Sequence, residues 1–125
     1  MQDLNLALVQ ADLHWHQPEA NRLLFDELLT GLDATTDVLI LPEMFTSGFS
    51  MEAPQLAEPP DGPSTNWLLE QAAKHDVLIT GSLITQDGGT YHNRMYWAFP
   101  DGHLLSYDKR HLFRMAGENR HYTPG

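Results

Sequence analysis

Apolar and polar positions along the first quarter of the chain predict a strand followed by a helix. Residues 4–9 alternate leucine with other side chains and predict a mostly buried strand. Pro18 then suits the first turn of a helix, and Glu19 is favourable near the positive N-terminal end of that helix. The apolar positions that follow recur at helical spacing and predict one apolar face: Ala20, Leu23, Leu24, Leu28 and Leu32.

A short apolar run and a proline-rich segment come next. Residues 37–41 are mostly apolar until Pro42 ends the run, which is typical of a strand covered on both faces. Prolines and glycines recur from 42 to about 63, so this segment is predicted to be neither helix nor central strand. Ser64 and Thr65 are then expected to cap a second helix.

The second half of the chain predicts three more strands. Residues 77–84 form an apolar strand, Asp87-Gly88-Gly89 a hairpin turn, and residues 91–99 a strand rich in aromatic side chains. After a turn at 100–102, the chain returns as a strand at 103–107. The first βαβ unit implies parallel strands, and the later hairpins add antiparallel ones. The predicted fold class is α/β, a mixed sheet with helices on at least one face.

Composition is that of a globular domain. The chain has 125 residues, 42% of them hydrophobic and 19% charged, which argues against disorder. The net charge of −10 makes nucleic acid and membrane partners unexpected, because an acidic surface repels phosphates and anionic lipids. There is no cysteine, hence no disulfide and no thiolate in these residues. No apolar run approaches the roughly 18 residues that a membrane span needs, and no secretory signal is visible, so a cytoplasmic location is expected.

The charge is distributed unevenly along the chain. Up to Asn93 the only bases are Arg22 and Lys74, whereas five bases lie between Arg94 and Arg120. One interpretation is ordinary surface variation. The other is a local positive site for an anionic substrate or a developing oxyanion.

A carboxylate and an amine each follow a predicted strand directly. Glu43 comes after the apolar run, and ligands in open α/β sheets bind at the carboxyl ends of strands. Its apolar neighbours would partly desolvate it and make it a better base, unless it is a loop carboxylate that faces water. Lys109 ends the last strand, where it could stabilise an oxyanion or be a solvated surface lysine.

The seven histidines support a different interpretation, a zinc or nickel site. His14 and His16 are two residues apart and share a face if the first strand extends that far. Further ligands would come from the later histidines: His92, His103, His111 or His121. Their spacing matches no standard zinc motif. Motifs of dinucleotide, P-loop, elbow-type serine hydrolase and zincin sites are also absent.

Three segments resemble the nitrilase, or carbon–nitrogen hydrolase, superfamily, and within it the omega-amidases. They are residues 39–49 (LILPEMFTSGF), residues 107–113 (YDKRHLF), and Gly117-Glu118 together with residues 122–125 (YTPG). Asn93-Arg94 also fits, so the resemblance extends over the whole chain in the right order.

This resemblance implies roles for individual residues. Glu43 would be a general base, Lys109 the cation that stabilises a tetrahedral intermediate, and Glu118 a second glutamate that orients the lysine and the substrate amide. From charge alone, Arg114 or Arg120 is a candidate contact for a substrate carboxylate. The nucleophile of the family is a cysteine on a later strand, which these residues lack. No cofactor and no metal is expected.

The resemblance also implies an incomplete domain. Residues 1–125 would be the N-terminal part of a single carbon–nitrogen hydrolase domain, truncated before the nucleophile. They would form half of an αββα sandwich, with helices on one face of a mixed sheet and the other face uncovered. Such a face favours association. The full-length parent would be a homo-oligomer acting on a small amide, such as the omega-amide 2-oxoglutaramate, and the chain alone would be inactive. Two alternatives stay open: a non-catalytic half-domain with a structural role, and a histidine-rich metal-binding module.

Overall fold

A computed structural model describes all of residues 1–125 and confirms the α/β architecture. Five strands form one sheet in the order β1 (Leu6–Leu8), β2 (Val38–Ile40), β3 (Leu78–Asp87), β4 (Thr90–Ala98) and β5 (Leu104–Asp108). The first three strands are parallel, and β4 and β5 add antiparallel pairs. The helices are α1 (Pro18–Leu29), α2 (Ala53–Leu56), α3 (Pro63–His75) and α4 (Glu118–His121), with a 3-10 turn at Arg114–Ala116.

The prediction for the inner face of helix α1 is only partly right: Ala20 and Leu24 are half-buried, and Leu32 packs against the core. The buried positions are Asn21, Phe25 and Leu29, whereas Leu23 and Leu28 of the predicted face are exposed. Apolar side chains occupy both sides of this helix, so hydrophobic spacing alone does not identify the inner face. Aromatic packing of Phe25 against the core and hydrogen bonds made by buried Asn21 determine the observed orientation.

The proline-rich segment contains more regular structure than predicted. It includes the short helix α2 and one β-bridge between Glu58 and Thr85. Helix α3 already begins at Pro63, so Ser64 and Thr65 lie inside its first turn and do not cap it. Instead, the Glu58 carboxylate accepts the Ser64 backbone N–H at 2.7 Å. The negative charge of Glu58 suits this position because the first turn exposes unpaired amides.

The two faces of the sheet differ. Helices α1 and α3 cover one face, where the main core includes Phe25, Leu68 and Ile79. On the opposite face Leu6 and Leu8 of β1 are 55% and 76% exposed, so the prediction of a mostly buried strand is wrong for this chain.

The turn between β3 and β4 is the predicted hairpin. Its two loop residues, Gly88 and Gly89, have φ of 59° and 81°. Positive φ at both positions is what a type I′ turn needs, and glycine adopts it without a steric penalty.

No helix of this fold has the length and apolar character needed to cross a bilayer.

Candidate active site

The side chains that could take part in a reaction lie together at one edge of the sheet, where the parallel strands end. β5 runs parallel to β2 and β3, so Glu43, three residues beyond β2, and Lys109, one beyond β5, emerge at the same edge. β4 runs in the opposite direction, which brings its first half, including Asn93, to that edge as well. The Lys109 backbone N–H bonds to the Asn93 carbonyl at 3.0 Å. Residues distant in sequence therefore converge on one place.

The loop that carries Glu43 is held by hydrogen bonds to its backbone. Met44 adopts a left-handed conformation with φ of 48°, and its N–H donates to Ser82 Oγ at 2.8 Å. The Phe45 N–H donates to the Ser82 carbonyl, and buried Asn21 donates to the Thr46 carbonyl at 2.6 Å. An unusual φ at a non-glycine residue persists only where the surroundings fix it. These bonds supply that constraint next to Glu43.

The Lys109 ammonium lies between two carboxylates. Nζ is 2.8 Å from Glu43 Oε1 and 2.9 Å from Glu118 Oε1. It also lies 5.4 Å from the centre of the Phe49 ring, within cation–π range. Partial burial lowers the pKa of Lys109, but the hydrogen bonds and charges of Glu43 and Glu118 outweigh that effect and raise the pKa overall. The lysine therefore stays charged.

Glu118 is fully buried yet well supplied with donors. Its Oε1 accepts the Phe113 backbone N–H at 2.6 Å and the Lys109 ammonium, while Oε2 accepts Asn93 Nδ2 at 3.0 Å. Burial alone raises the pKa of Glu118, but the hydrogen bonds from Phe113, Asn93 and Lys109 overcome it and lower the pKa overall. The carboxylate is ionised and paired.

Sequence reasoning did not assign a role to Asn93 at this site. Its Nδ2 donates to Glu43 Oε1 at 2.7 Å and to Glu118 Oε2 at 3.0 Å, and the residue is 2% exposed. The signal that could have identified Asn93 was an amide side chain at a position of the aromatic strand that is typical of buried residues. Only the register of β4 against β3 and β5 shows where that amide points.

These side chains border an open cleft of about 280 Å³. Its lining residues are Leu41, Glu43, Gly81, Ser82, Asn93, Met95, Tyr107 and Lys109. The Glu43 side chain is 48% exposed, so about half of its surface faces the open cleft.

Arg114 and Arg120 do not reach this cleft. Both are exposed, and Arg114 borders a separate polar groove with Arg110 and Asn119. The expected meeting of Glu43 and Lys109 is thus observed, whereas neither arginine joins them.

The histidines do not form a metal centre. No group of three or more histidine, aspartate or glutamate side chains is arranged to hold a metal ion. His16 instead bonds to Ser50 Oγ at 2.6 Å, and His92 contacts Thr90 and the Thr123 carbonyl. The geometry gives the metal-binding alternative no support.

Comparison with known proteins identifies relatives along the whole chain. Residues 5–124 match the family model described as carbon-nitrogen hydrolase. An omega-amidase YafV of Yersinia enterocolitica is 46% identical over 100% of this chain, which corresponds to 48% of the relative. A 2-oxoglutaramate amidase of Bacillus subtilis is 28% identical over 96% of this chain and 48% of its own length.

A solved structure agrees closely with this fold. XC1258 of Xanthomonas campestris, described as a CN-hydrolase superfamily protein with an arsenic adduct in its active site, superposes with a TM-score of 0.96 at 47% identity. The match covers 100% of this chain and 47% of that one. The chain therefore spans about half the length of the relatives it matches.

Proposed function

The chain belongs to the carbon–nitrogen hydrolase family, and from that premise we propose that it supplies part of an active site that hydrolyses small carboxamides. The proposed substrates are omega-amides of 2-oxo acids, such as 2-oxoglutaramate, and the products are the acid and ammonia. The observation that carries the proposal is the contact of Lys109 Nζ with both Glu43 and Glu118 beside an open cleft. The names of the Yersinia and Bacillus relatives support this choice of substrate.

In the proposed reaction, Glu43 is the general base. A cysteine thiol from outside these residues loses its proton to Glu43, and the resulting thiolate attacks the amide carbonyl carbon. The C=O electron pair moves onto oxygen, and the charged Lys109 stabilises that oxyanion. The protonated Glu43 then gives its proton to the leaving nitrogen. The electron pair on the oxyanion re-forms the C=O bond as the C–N bond breaks, which gives ammonia and a thioester.

Hydrolysis of the thioester reuses the same groups. Glu43 takes a proton from water, the hydroxide oxygen attacks the acyl carbon, and the thiolate leaves with the electron pair of the C–S bond. Glu118 does not touch the reacting atoms in this scheme. It holds Lys109 through the 2.9 Å contact at Oε1, so that the ammonium keeps its charge and position.

The 125 residues alone are proposed to be inactive because they contain no cysteine to form the thioester. We therefore test the function with a chimera, in which residues 1–125 replace the matching part of the Yersinia omega-amidase. The assay is ammonia release from 2-oxoglutaramate. The chimera is expected to turn over and the separate chain is not.

Two outcomes would contradict the proposal. Turnover by the separate chain that Glu43→Gln abolishes would show that no external thiol is needed. A folded chimera that binds no omega-amide and releases no ammonia would remove the substrate assignment. Glutamine, which lacks the 2-oxo group, is the matched control substrate.

A further inference from the structure

The hydrogen bonds at the cleft involve only one oxygen of Glu43. Lys109 Nζ and Asn93 Nδ2 both donate to Oε1, at 2.8 and 2.7 Å. Oε2 accepts no hydrogen bond from the chain, and the side chain is 48% exposed at the cleft. A carboxylate oxygen that already accepts two strong donors is a weaker base than its unoccupied partner. The two oxygens of Glu43 are therefore chemically different.

Asn93 is the neutral part of this arrangement. Both Glu43 and Glu118 offer only acceptor oxygens when ionised, so the amide must turn its nitrogen, not its oxygen, towards them. The two N–H groups of Nδ2 then connect Glu43 Oε1 to Glu118 Oε2. Because Asn93 is 2% exposed and lies inside β4, its position is fixed by the sheet.

Lys109 alone would not determine which oxygen of each carboxylate accepts its hydrogen bond. Its single flexible chain ends in an ammonium that can donate to either oxygen of each carboxylate. The rigid amide of Asn93 removes that freedom, because it binds Glu43 at Oε1 while holding Glu118 from the Oε2 side. Lys109 and Phe113 are left to bind Glu118 at Oε1.

We propose that Asn93 is a positioning residue that fixes Glu43 so that Oε2 is the oxygen that takes the thiol proton. This inference rests on the proposed function. In the step itself the S–H bond breaks, an O–H bond forms at Oε2, and the electron pair stays on sulfur. Oε1 keeps its bonds to Lys109 and Asn93 throughout.

The test uses the chimera with Asn93→Leu, which keeps a similar volume but cannot donate, and Asn93→Asp. The control is Asn66→Asp, an exposed position on α3 whose side chain donates a hydrogen bond to the Asp61 carbonyl. Asn93→Leu is expected to lower kcat about 10- to 100-fold with KM changed less than about twofold, as for loss of a hydrogen bond to a charged group.

Asn93→Asp separates positioning from mere structural support. Near neutral pH its carboxylate repels Glu43 and Glu118, whereas its protonated form regains one donor. Its kcat relative to the unsubstituted chimera is therefore expected to rise as the pH falls. Asn93→Leu activity within about twofold of the unsubstituted chimera would overturn the proposal. So would an Asn93→Asp profile parallel to that of Asn66→Asp.

A second measurement does not depend on activity. Carbon-13 NMR of the 125-residue chain reports on the side-chain carboxyls of Glu43 and Glu118. Both carboxyls face Lys109 and Asn93, and Glu118 also lies near Tyr122. Loss of the Asn93 donor is expected to raise the pKa of Glu118 and, at a fixed pH, to change the chemical shift of the Glu43 carboxyl carbon. If a folded chimera is inactive, the proposed function fails. An unchanged pKa of Glu118 together with an unchanged chemical shift of the Glu43 carboxyl would overturn the Asn93 inference separately. Should Asn93→Leu not fold, Asn93→Ala, which also lacks a donor, serves in both assays.

Discussion

Substitution of Lys109 by methionine is expected to destabilise the fold in a pH-dependent way. The side chain is 30% exposed and is the only charged partner of Glu118, which is 0% exposed. Breaking a buried ion pair by removing one partner costs about 3–5 kcal/mol. Here the Phe113 N–H and Asn93 still donate to Glu118, and solvent partly screens Lys109. We therefore expect a loss of about 2–3 kcal/mol near neutral pH.

The sign of the pH dependence follows from Glu118. In the unsubstituted chain the pKa of Glu118 is lower in the folded state than in the unfolded state. Ionisation of Glu118 therefore stabilises the fold at pH values above its unfolded pKa. This stabilisation is lost as the pH falls through its folded pKa. Without Lys109, fewer hydrogen-bond donors oppose the effect of burial on Glu118, so the pKa of Glu118 shifts upward. The ionised carboxylate then destabilises the variant most at neutral pH. The difference in free energy of unfolding from the unsubstituted chain should shrink as acid protonates Glu118.

Urea unfolding followed by tryptophan fluorescence provides the assay, since Trp67 lies in the core. Measurements at about pH 7.5 and about pH 5.5 bracket the range in which a buried carboxyl with a raised pKa would titrate. Lys74→Met is the matched control, because Lys74 is exposed and makes no ion pair; its cost should stay below about 1 kcal/mol at both pH values. A Lys109→Met loss that matches this control, or that does not change with pH, would mean that Lys109 does not stabilise the buried Glu118 carboxylate.

Three further substitutions test other parts of the structure. Gly48 has φ of 82°, and a Cβ there would lie 2.6 Å from the Trp15 ring, so Gly48→Ala should cost about 1–3 kcal/mol and shift Trp15 fluorescence. Gly88→Ala, at φ of 59° with open space around it, should cost only about 1 kcal/mol and leave Trp15 unchanged. Tyr122→Phe removes the hydroxyl that donates to the Ser50 carbonyl at 2.5 Å and should cost about 1–2 kcal/mol in urea unfolding, whereas Tyr107→Phe at an exposed position should cost almost nothing. Leu8→Lys on the open sheet face should reduce self-association of the chain in sedimentation velocity, and Leu23→Lys on α1 should not; equal effects would mean that the open face does not drive association.

Local sequence signals account for most of the fold. The hairpin at Gly88-Gly89 and the helix start at Pro18 depend on backbone chemistry of one or two residues, so the sequence predicts them directly. The inner face of α1 depends instead on which of several apolar sides finds partners. Asn21 is buried because its amide bonds to the His14 and Thr46 carbonyls, a tertiary effect that hydrophobic spacing does not reveal.

The sequence likewise predicts part of the candidate site. Glu43 and Lys109 follow strands whose carboxyl ends share an edge, so topology alone brings them together. Asn93 was missed because its contribution depends on β4 running in the opposite direction and on its exact register. The leucine pattern predicts that Leu6 and Leu8 are buried because it indicates an apolar strand. The pattern does not show which residues, if any, cover those side chains, and both are exposed here.

The proposed role of Glu43 as the base of an amidase site can be measured as the rate of ammonia release from 2-oxoglutaramate by the chimera. Glu43→Gln keeps the shape and one acceptor oxygen but cannot take a proton, so kcat should fall by about 10²- to 10⁴-fold. Glu70→Gln, an exposed glutamate on α3, should leave the rate unchanged. A Glu43→Gln chimera that is as fast as the Glu70→Gln chimera would show that Glu43 is not the base.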